Sequence, residues 1–316
     1  MRFNAATSSC AGPAPNSDGA RRRTPKTRRR RHAIAYLLLL PGLLIHIAVV
    51  GVPSILTLAF STLDWSITGP MRFIGLENFR EILTEDTVFR MAFGNNLSWL
   101  AFFLAVPMIM GLGGALALSN IRRGQIVYRT VIFLPYILSS VIVGRLFQTL
   151  YHPFYGINKI LEAVGMDWAT RTWLGDPNTA LYAVANASNW HWWPFTLVIF
   201  LGALQQIDPS LYEAAAIEGA NSRQVFRFVT LPLLRPTVIF LLLMTLIWGF
   251  MTFDYIYVMT KGGPGNSSEV MATWIYTQAV DFRRAGYASA LAVMLGLITV
   301  GVIAGYTYLR RRGWEV

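Results

Sequence analysis

Glu213-Ala214-Ala215-Ala216-Ile217-Glu218-Gly219, followed by Val229, Leu231 and Pro232, is the stretch on which the reading of this chain turns. It is a polar, helix-forming loop set between long apolar segments. Asp208-Pro209 ahead of it makes a strong helix start: the carboxylate accepts amide hydrogens, and Pro at the first helical position gives up a donor that would otherwise be unpaired. Ser210 and Glu213 also fit a capping-box spacing. The alanine run favours helix and is small enough to let another surface approach closely. Gly219 supplies the left-handed conformation that ends the helix, and Asn221 or Ser222 can cap a second short helix through about Phe228. Leu231-Pro232 is expected to close that second helix. The predicted product is a short, rigid, capped rod inside a loop at 204–236.

What flanks the loop sets the class. Of 316 residues, 54% are apolar and 14% charged, against about 25% charged in soluble domains. The charges cluster between apolar runs of about twenty residues or more, the length that crosses a bilayer as a helix. Six such runs fall at roughly 33–61, 91–118, 126–150, 178–203, 237–259 and 287–309. Lipid offers the backbone no hydrogen-bond partners, so each run is expected to be helical. The fold class is therefore all-α: a polytopic membrane protein with six transmembrane helices and a short helix in the 204–236 loop. Residues 1–32, rich in Ser, Pro, Gly and Arg, read as a disordered basic tail, and 33–316 as the membrane domain. Pro41, Pro53, Pro107, Pro135 and Pro194 lie inside the runs and mark kinks. The segments 62–90, 152–177 and 260–286 are too polar to span. Phe73-Ile74-Gly75-Leu76-Glu77-Asn78-Phe79 reads as a short interfacial helix entry.

Charge then sets the orientation. The tail holds nine Lys or Arg, including Lys26 and those at 21–23 and 28–31, directly before the first run. With the N-terminus inside, Arg122, Arg123, Arg129, Arg223, Arg227, Arg235 and the three at 310–312 join them, giving eighteen inside against eight outside. That is a positive-inside bias. Both termini and the 204–236 loop are thus expected in the cytoplasm. No small-residue cleavage site follows the first run, which reads as a retained helix. The net charge of +11 sits in the tail and at span ends, where it serves topology rather than nucleic-acid binding.

Several chemistries are excluded. Cys10 is the single cysteine, so there is no disulfide framework and no cysteine metal cluster. His32, His46, His152 and His191 are scattered, and no phosphate-cradling Gly-x-x-x-x-Gly-Lys-Ser/Thr loop occurs. No cofactor, metal or catalytic residue is expected. Aromatic faces with hydrogen-bonding side chains suit sugars, and runs four and five offer Ser188, Asn189, Trp190, His191, Trp192, Phe195, Trp248, Thr252, Phe253 and Asp254. Asp254 and Arg145 fall toward outer span ends and read as structural, snorkelling to water.

The Glu-Ala-Ala pattern, with three residues to Gly, nine to an aliphatic residue and one more to Leu-Pro, matches at every fixed position. It resembles the cytoplasmic loop of the permease subunits of carbohydrate-uptake ABC importers, related to the maltose, glycerol-3-phosphate and multiple-sugar systems. The resemblance covers about 35–312. It includes Phe73 to Phe79, Asn95, Phe133-Leu134-Pro135, Trp190 to Phe195 and Thr260-Lys261-Gly262-Gly263-Pro264-Gly265. The Gly-Gly-Pro segment is similar to that of the maltose-subunit-like half of a heterodimeric pair.

It implies a non-catalytic translocation subunit in a bacterial-type plasma membrane. The implied partners are a second permease, a dimer of ATP-binding subunits and an extracytoplasmic solute-binding protein. Glu213, Ala214, Ala215, Gly219, Leu231 and Pro232 would couple to the ATPase. Ser188, His191, Trp192, Phe195, Trp248, Gly249, Thr252 and Phe253 would line the sugar path. Two rival readings stand beside it: an ABC permease for a non-sugar solute such as a polyamine or phosphonate, and an ion-coupled carrier. The carrier would need a central run of paired carboxylates, which the spans lack.

Overall fold

The computed structural model describes residues 25–121 and 123–309. The tail up to residue 24, Arg122 and the basic cluster at 310–312 lie outside the described residues. The described residues fall into two units, divided between Ile55 and Leu56. In the first, helix α1 (Pro25–His46) begins inside the segment read as tail, and a π turn at Ile47–Gly51 leads into α2 (Val52–Phe60). Tyr36–Phe60 is apolar throughout with none of it buried within the protein, as expected of side chains that lipid solvates.

The second unit opens with a hairpin of two-residue antiparallel strands, β1 (Leu63–Asp64) and β2 (Arg72–Phe73), with Leu63 opposite Phe73. The helix expected over 73–79 starts only at Glu77 and forms α3 (Glu77–Thr84), because Phe73 is committed to the strand pair. Next come α4 (Thr87–Ser119), α5 (Gln125–Ile137), α6 (Ser140–Leu150), α7 (Ile157–Ala163) and α8 (Ala180–Leu204). The chain ends through α9 (Pro209–Ile217), α10 (Ser222–Val225), α11 (Leu231–Phe250), α12 (Asp254–Met259), α13 (Met271–Tyr276) and α14 (Ala285–Leu309).

Among the described residues, four helical runs are long and apolar enough to cross a membrane: Tyr36–Phe60, Thr87–Ser119, Ser222–Phe250 and Ala285–Tyr308. A fifth is possible if α5 and α6 count as one broken span. The run expected at 126–150 is bent by 92° at Leu138-Ser139. Pro135 removes a helical donor, Leu138 turns extended, and the Ser139 hydroxyl caps the next helix by accepting the Ile142 amide. The run expected at 178–203 is a 25-residue helix, α8, but too polar along its length to pass as apolar. The run expected at 237–259 is displaced: its helix starts at Ser222 and stops at Phe250, and α12 begins after a three-residue break. Leu231-Pro232 does not end the second loop helix. A π turn at Phe226–Thr230 carries it on, the Leu231 amide reaching back to the Phe226 carbonyl just before Pro232, which has no amide to give.

α8 is the hub. It packs along α4 and also touches α5, α6, α11 and α12. The α4 contact is close because Gly111 and Gly114 present no side chain: a Cβ on Gly111 would overlap the Thr196 hydroxyl, and one on Gly114 would sit 2.5 Å from Leu197. Small residues at a helix pair let the backbones approach. Thr196 Oγ1 uses that proximity to donate to the Pro107 carbonyl at 2.9 Å. Asn96, 1% exposed, holds α4 to the start of α13 by accepting the Met271 amide at 2.8 Å.

Candidate functional site

Two places carry the expected residues. The first is α9 and the turn after it. Asp208 caps α9 by accepting the Ser210 amide at 2.9 Å, with Pro209 at the first helical position. The capping box expected of Ser210 and Glu213 is not formed, because the residue two places earlier already occupies the cap. The Ser210 hydrogen bonds hold the Asp208 carboxyl below the usual range. Gly219 adopts φ +75°, with open space around it. Asn221 then forms a reciprocal capping box with Gln224, at 3.0 and 2.8 Å. Glu213, Ala214, Gly219, Leu231 and Pro232 are exposed and Ala215 is half-buried. Ile217 is 87% exposed and Phe228 70% exposed, so the rod carries apolar surface as well as its carboxylate.

The second place is a cavity of about 420 Å³ walled by α4, α5, α6, α8, α11 and α12. Ser188, His191, Trp192, Trp248, Gly249, Thr252 and Phe253 all line it. Phe195 does not. It stands behind the wall, stacked on Tyr136 at 5.4 Å between ring centroids and tilted on Trp192 at 4.9 Å.

Seven further wall residues are not among those the sequence points to: Trp99, Phe103, Tyr136, Ser140, Thr245, Met251 and Tyr255. Tyr136, Ser140 and Tyr255 come from beside the two helix breaks, where hydropathy gives no signal. Asp254, read as structural, is also on the wall. The position of the breaks explains this: α12 restarts at Asp254, which turns it and Tyr255 toward the cavity instead of onward along α11.

Hydrogen bonds tie the breaks together. His191 lies between Leu138 and Tyr255, with its Nε2 3.0 Å from the Leu138 carbonyl. A carbonyl only accepts, so Nε2 carries a proton, and Nδ1 pairs with the Tyr255 hydroxyl. Ser140 donates to Asp254 across the same gap. Trp192 and Trp248 face each other at 4.6 Å. Trp192 Nε1 and Thr245 Oγ1 are buried without a hydrogen-bond partner among the described residues, an arrangement that costs free energy unless something enters to accept from them. The wall thus offers aromatic faces and one carboxylate, and among the described residues there is no group of three or more His, Cys, Asp or Glu fit to hold a metal.

Residues 108–314 match the family described as "Binding-protein-dependent transport system inner membrane component". The sulfoquinovosyl glycerol transport system permease protein SmoG of Agrobacterium fabrum is 34% identical, over 88% of this chain and 90% of its own. The trehalose/maltose transport system permease protein MalF of Thermococcus litoralis is 30% identical, over 91% and 97%. Among solved structures, a bacterial ABC transporter involved in import of the acidic polysaccharide alginate superposes with a TM-score of 0.81. That likeness covers 92% of this chain and 99% of that one at 24% identity, and it speaks to fold alone.

Proposed function

Since the chain belongs to the family of binding-protein-dependent transport system inner membrane components, we propose that it forms half of a sugar translocation pathway and takes its drive from a separate ATPase through α9. The coarser frame is the family's: a non-catalytic, multi-pass permease subunit of an ABC-type carbohydrate importer, working with other transporter components. The finer reading is ours. It has α8 and the bent α5–α6 pair completing six spans, with both termini in the cytoplasm.

The observation that carries it is the convergence of seven sugar-suited residues, from Ser188 to Phe253, on one aromatic cavity. Sugars present apolar faces to aromatic rings and hydroxyls to polar groups, and this wall supplies both. The driving end is α9. A capped helix followed by a glycine turn is rigid enough to transmit a push, and its exposed Glu213 and alanine face give a partner a charge and a close approach. Glu213 pairs with a basic group of the ATPase and Gly219 sets the turn. ATP-driven closure of the ATPase pair moves α9 and opens the cavity outward to a solute-loaded binding protein, and hydrolysis resets it.

A mild-detergent pull-down of the tagged chain, read by mass spectrometry beside a Glu213→Lys, Gly219→Asp double variant, tests this. The reading expects an ATPase and a second permease with the parent, and loss of the ATPase alone from the variant. A chain that purifies by itself, unchanged by the substitutions, refutes it. A captured binding protein that holds a polyamine or phosphonate would keep the coupling and overturn the sugar.

A further inference from the structure

We infer that the cavity selects by charge and that Asp254 is the residue that sets the selection: it admits uncharged or amino-bearing glycosides and turns away those carrying a carboxylate or sulfonate. The inference rests on the cavity being the sugar pathway. The family does not decide the point, since the names of relatives span trehalose or maltose, sulfoquinovosyl glycerol and an acidic polysaccharide.

The wall decides it. Among the described residues lining the cavity, Asp254 is the one carboxylate, and no Lys or Arg stands there. Its Oδ2 takes the Ser140 hydroxyl hydrogen, which steadies the carboxylate without neutralising it, and its Oδ1 has no partner among the described residues. The other ionisable wall side chain, His191, has both ring nitrogens engaged, Nε2–H on the Leu138 carbonyl and Nδ1 on the Tyr255 hydroxyl, so it has no free N–H to offer an anion. Arg145, on α6, gives its guanidinium to Gln148 at 2.8 Å and does not line the cavity.

A neutral sugar entering this space loses water but recovers hydrogen bonds: Asp254 Oδ1 accepts from a hydroxyl as a charge-assisted bond. An ammonium gains more. An acidic sugar is stripped of water against Trp99, Phe103 and Trp248, finds no cation on the wall that this chain supplies, and meets a like charge. At an effective dielectric near 20, like charges about 7 Å apart disfavour binding by tenfold or more.

The test is a titration of the detergent-purified assembly, followed by tryptophan fluorescence, since Trp192 and Trp248 form the wall. Trehalose is the neutral probe, the β-1,4 disaccharide of glucosamine the cationic one, and digalacturonate the acidic one. Trehalose and the diamine are expected to bind, with digalacturonate at least about tenfold weaker. Asp254→Asn, which keeps an acceptor for Ser140, closes that gap to within about twofold. Ser140→Ala, which removes the hydrogen bond and leaves the charge, preserves it. Met251→Lys, at the exposed edge of the cavity, admits digalacturonate without touching Asp254, and so serves if the asparagine variant fails to assemble. Digalacturonate binding the parent as tightly as trehalose, or an undiminished gap in Asp254→Asn, overturns the charge selection and leaves the sugar pathway standing. If none of the three probes changes the fluorescence, the sugar pathway itself fails and this inference with it.

Discussion

Tyr287 donates its phenolic proton to Asp86 Oδ2 at 2.6 Å. The same oxygen accepts from Trp274 Nε1 at 2.9 Å, and Oδ1 accepts the Phe89 amide at 2.7 Å. One carboxylate therefore caps α4 and binds both α13 and α14 to its start. Asp86→Ala loses a cap worth about 1 kcal/mol and leaves two donors in a half-buried setting, at about 1 kcal/mol or more each. A total of about 3 kcal/mol is expected, read as a fall of several degrees in the thermal unfolding of the detergent-solubilised assembly. A change smaller than the cap alone would mean that water replaces the carboxylate.

The α4–α8 contact makes a sharper comparison. Gly111 has no room for a Cβ beside Thr196, whereas Gly113, two residues on, has open space. Gly111→Val is expected to cost about 1–3 kcal/mol through overpacking, with reduced membrane yield. Gly113→Ala should be neutral or slightly stabilising, since alanine is the better helix former. Equal yields and equal melting of the two variants would show that the close packing is not required.

At the other end of the molecule, backbone conformation is the issue. Gly219 at φ +75° meets nothing, so Gly219→Ala is penalised by about 1 kcal/mol of left-handed strain and by no clash. Gly219→Asn should be milder. ATPase activity stimulated by the permease is expected to fall several-fold in the alanine variant and less in the asparagine one. The cap on the same helix has its own pH signature. The depressed pKa of Asp208 means its contribution is complete above the ordinary Asp range and disappears as pH falls through the lowered value. Coupling should fade in acid, and Asp208→Asn should remove that dependence.

Glu269 predicts the opposite slope. It is 2% exposed, Oε1 has no partner among the described residues, and burial pushes its carboxyl above the usual range, with the Thr273 hydroxyl partly opposing. Gly262 at φ +81° lies so close that a Cβ would overlap the carboxylate. A raised folded-state pKa gives stability that is full below the ordinary Glu range and lost as pH rises through the raised value. The melting temperature of the assembly should fall by a few degrees between pH 4.5 and 8, while Glu269→Gln flattens the curve. A flat parental curve would count against a buried, protonated carboxyl.

How much could be read beforehand differs by residue. Helices at Thr87–Ser119 and Ala285–Tyr308 follow from apolar runs uninterrupted by charge. The α9 cap and the Gly219 turn follow from short-range chemistry, in which Asp208, Pro209 and Gly219 each have one dominant local use. Pro135 marks a kink in the first broken run but not the size of its 92° bend, and the break at 251–253 contains no proline or glycine to announce it. With the breaks hidden, Tyr136, Ser140 and Tyr255 could not be assigned to the cavity wall. Asp254 was assigned to the water-facing end of a straight helix that does not exist. Pro232 misled for the reverse reason: a local stop signal was overridden by a π turn that needs one fewer amide.

The polarity of α8 has a consequence for how the protein is made. With Asn186, Ser188, Asn189 and His191 in its middle turns, this segment has little reason to leave the insertion machinery for lipid by itself. Much of its polar side is satisfied beside neighbours that precede it in the chain, where Asn186 donates to Tyr151, His191 bonds to Leu138, and Thr196 donates to Pro107. On the six-span reading, α4, α5 and α6 must therefore wait in the bilayer as an unfinished cradle until α8 emerges. The order of the segments along the chain is then also the order in which they become able to stay in the membrane.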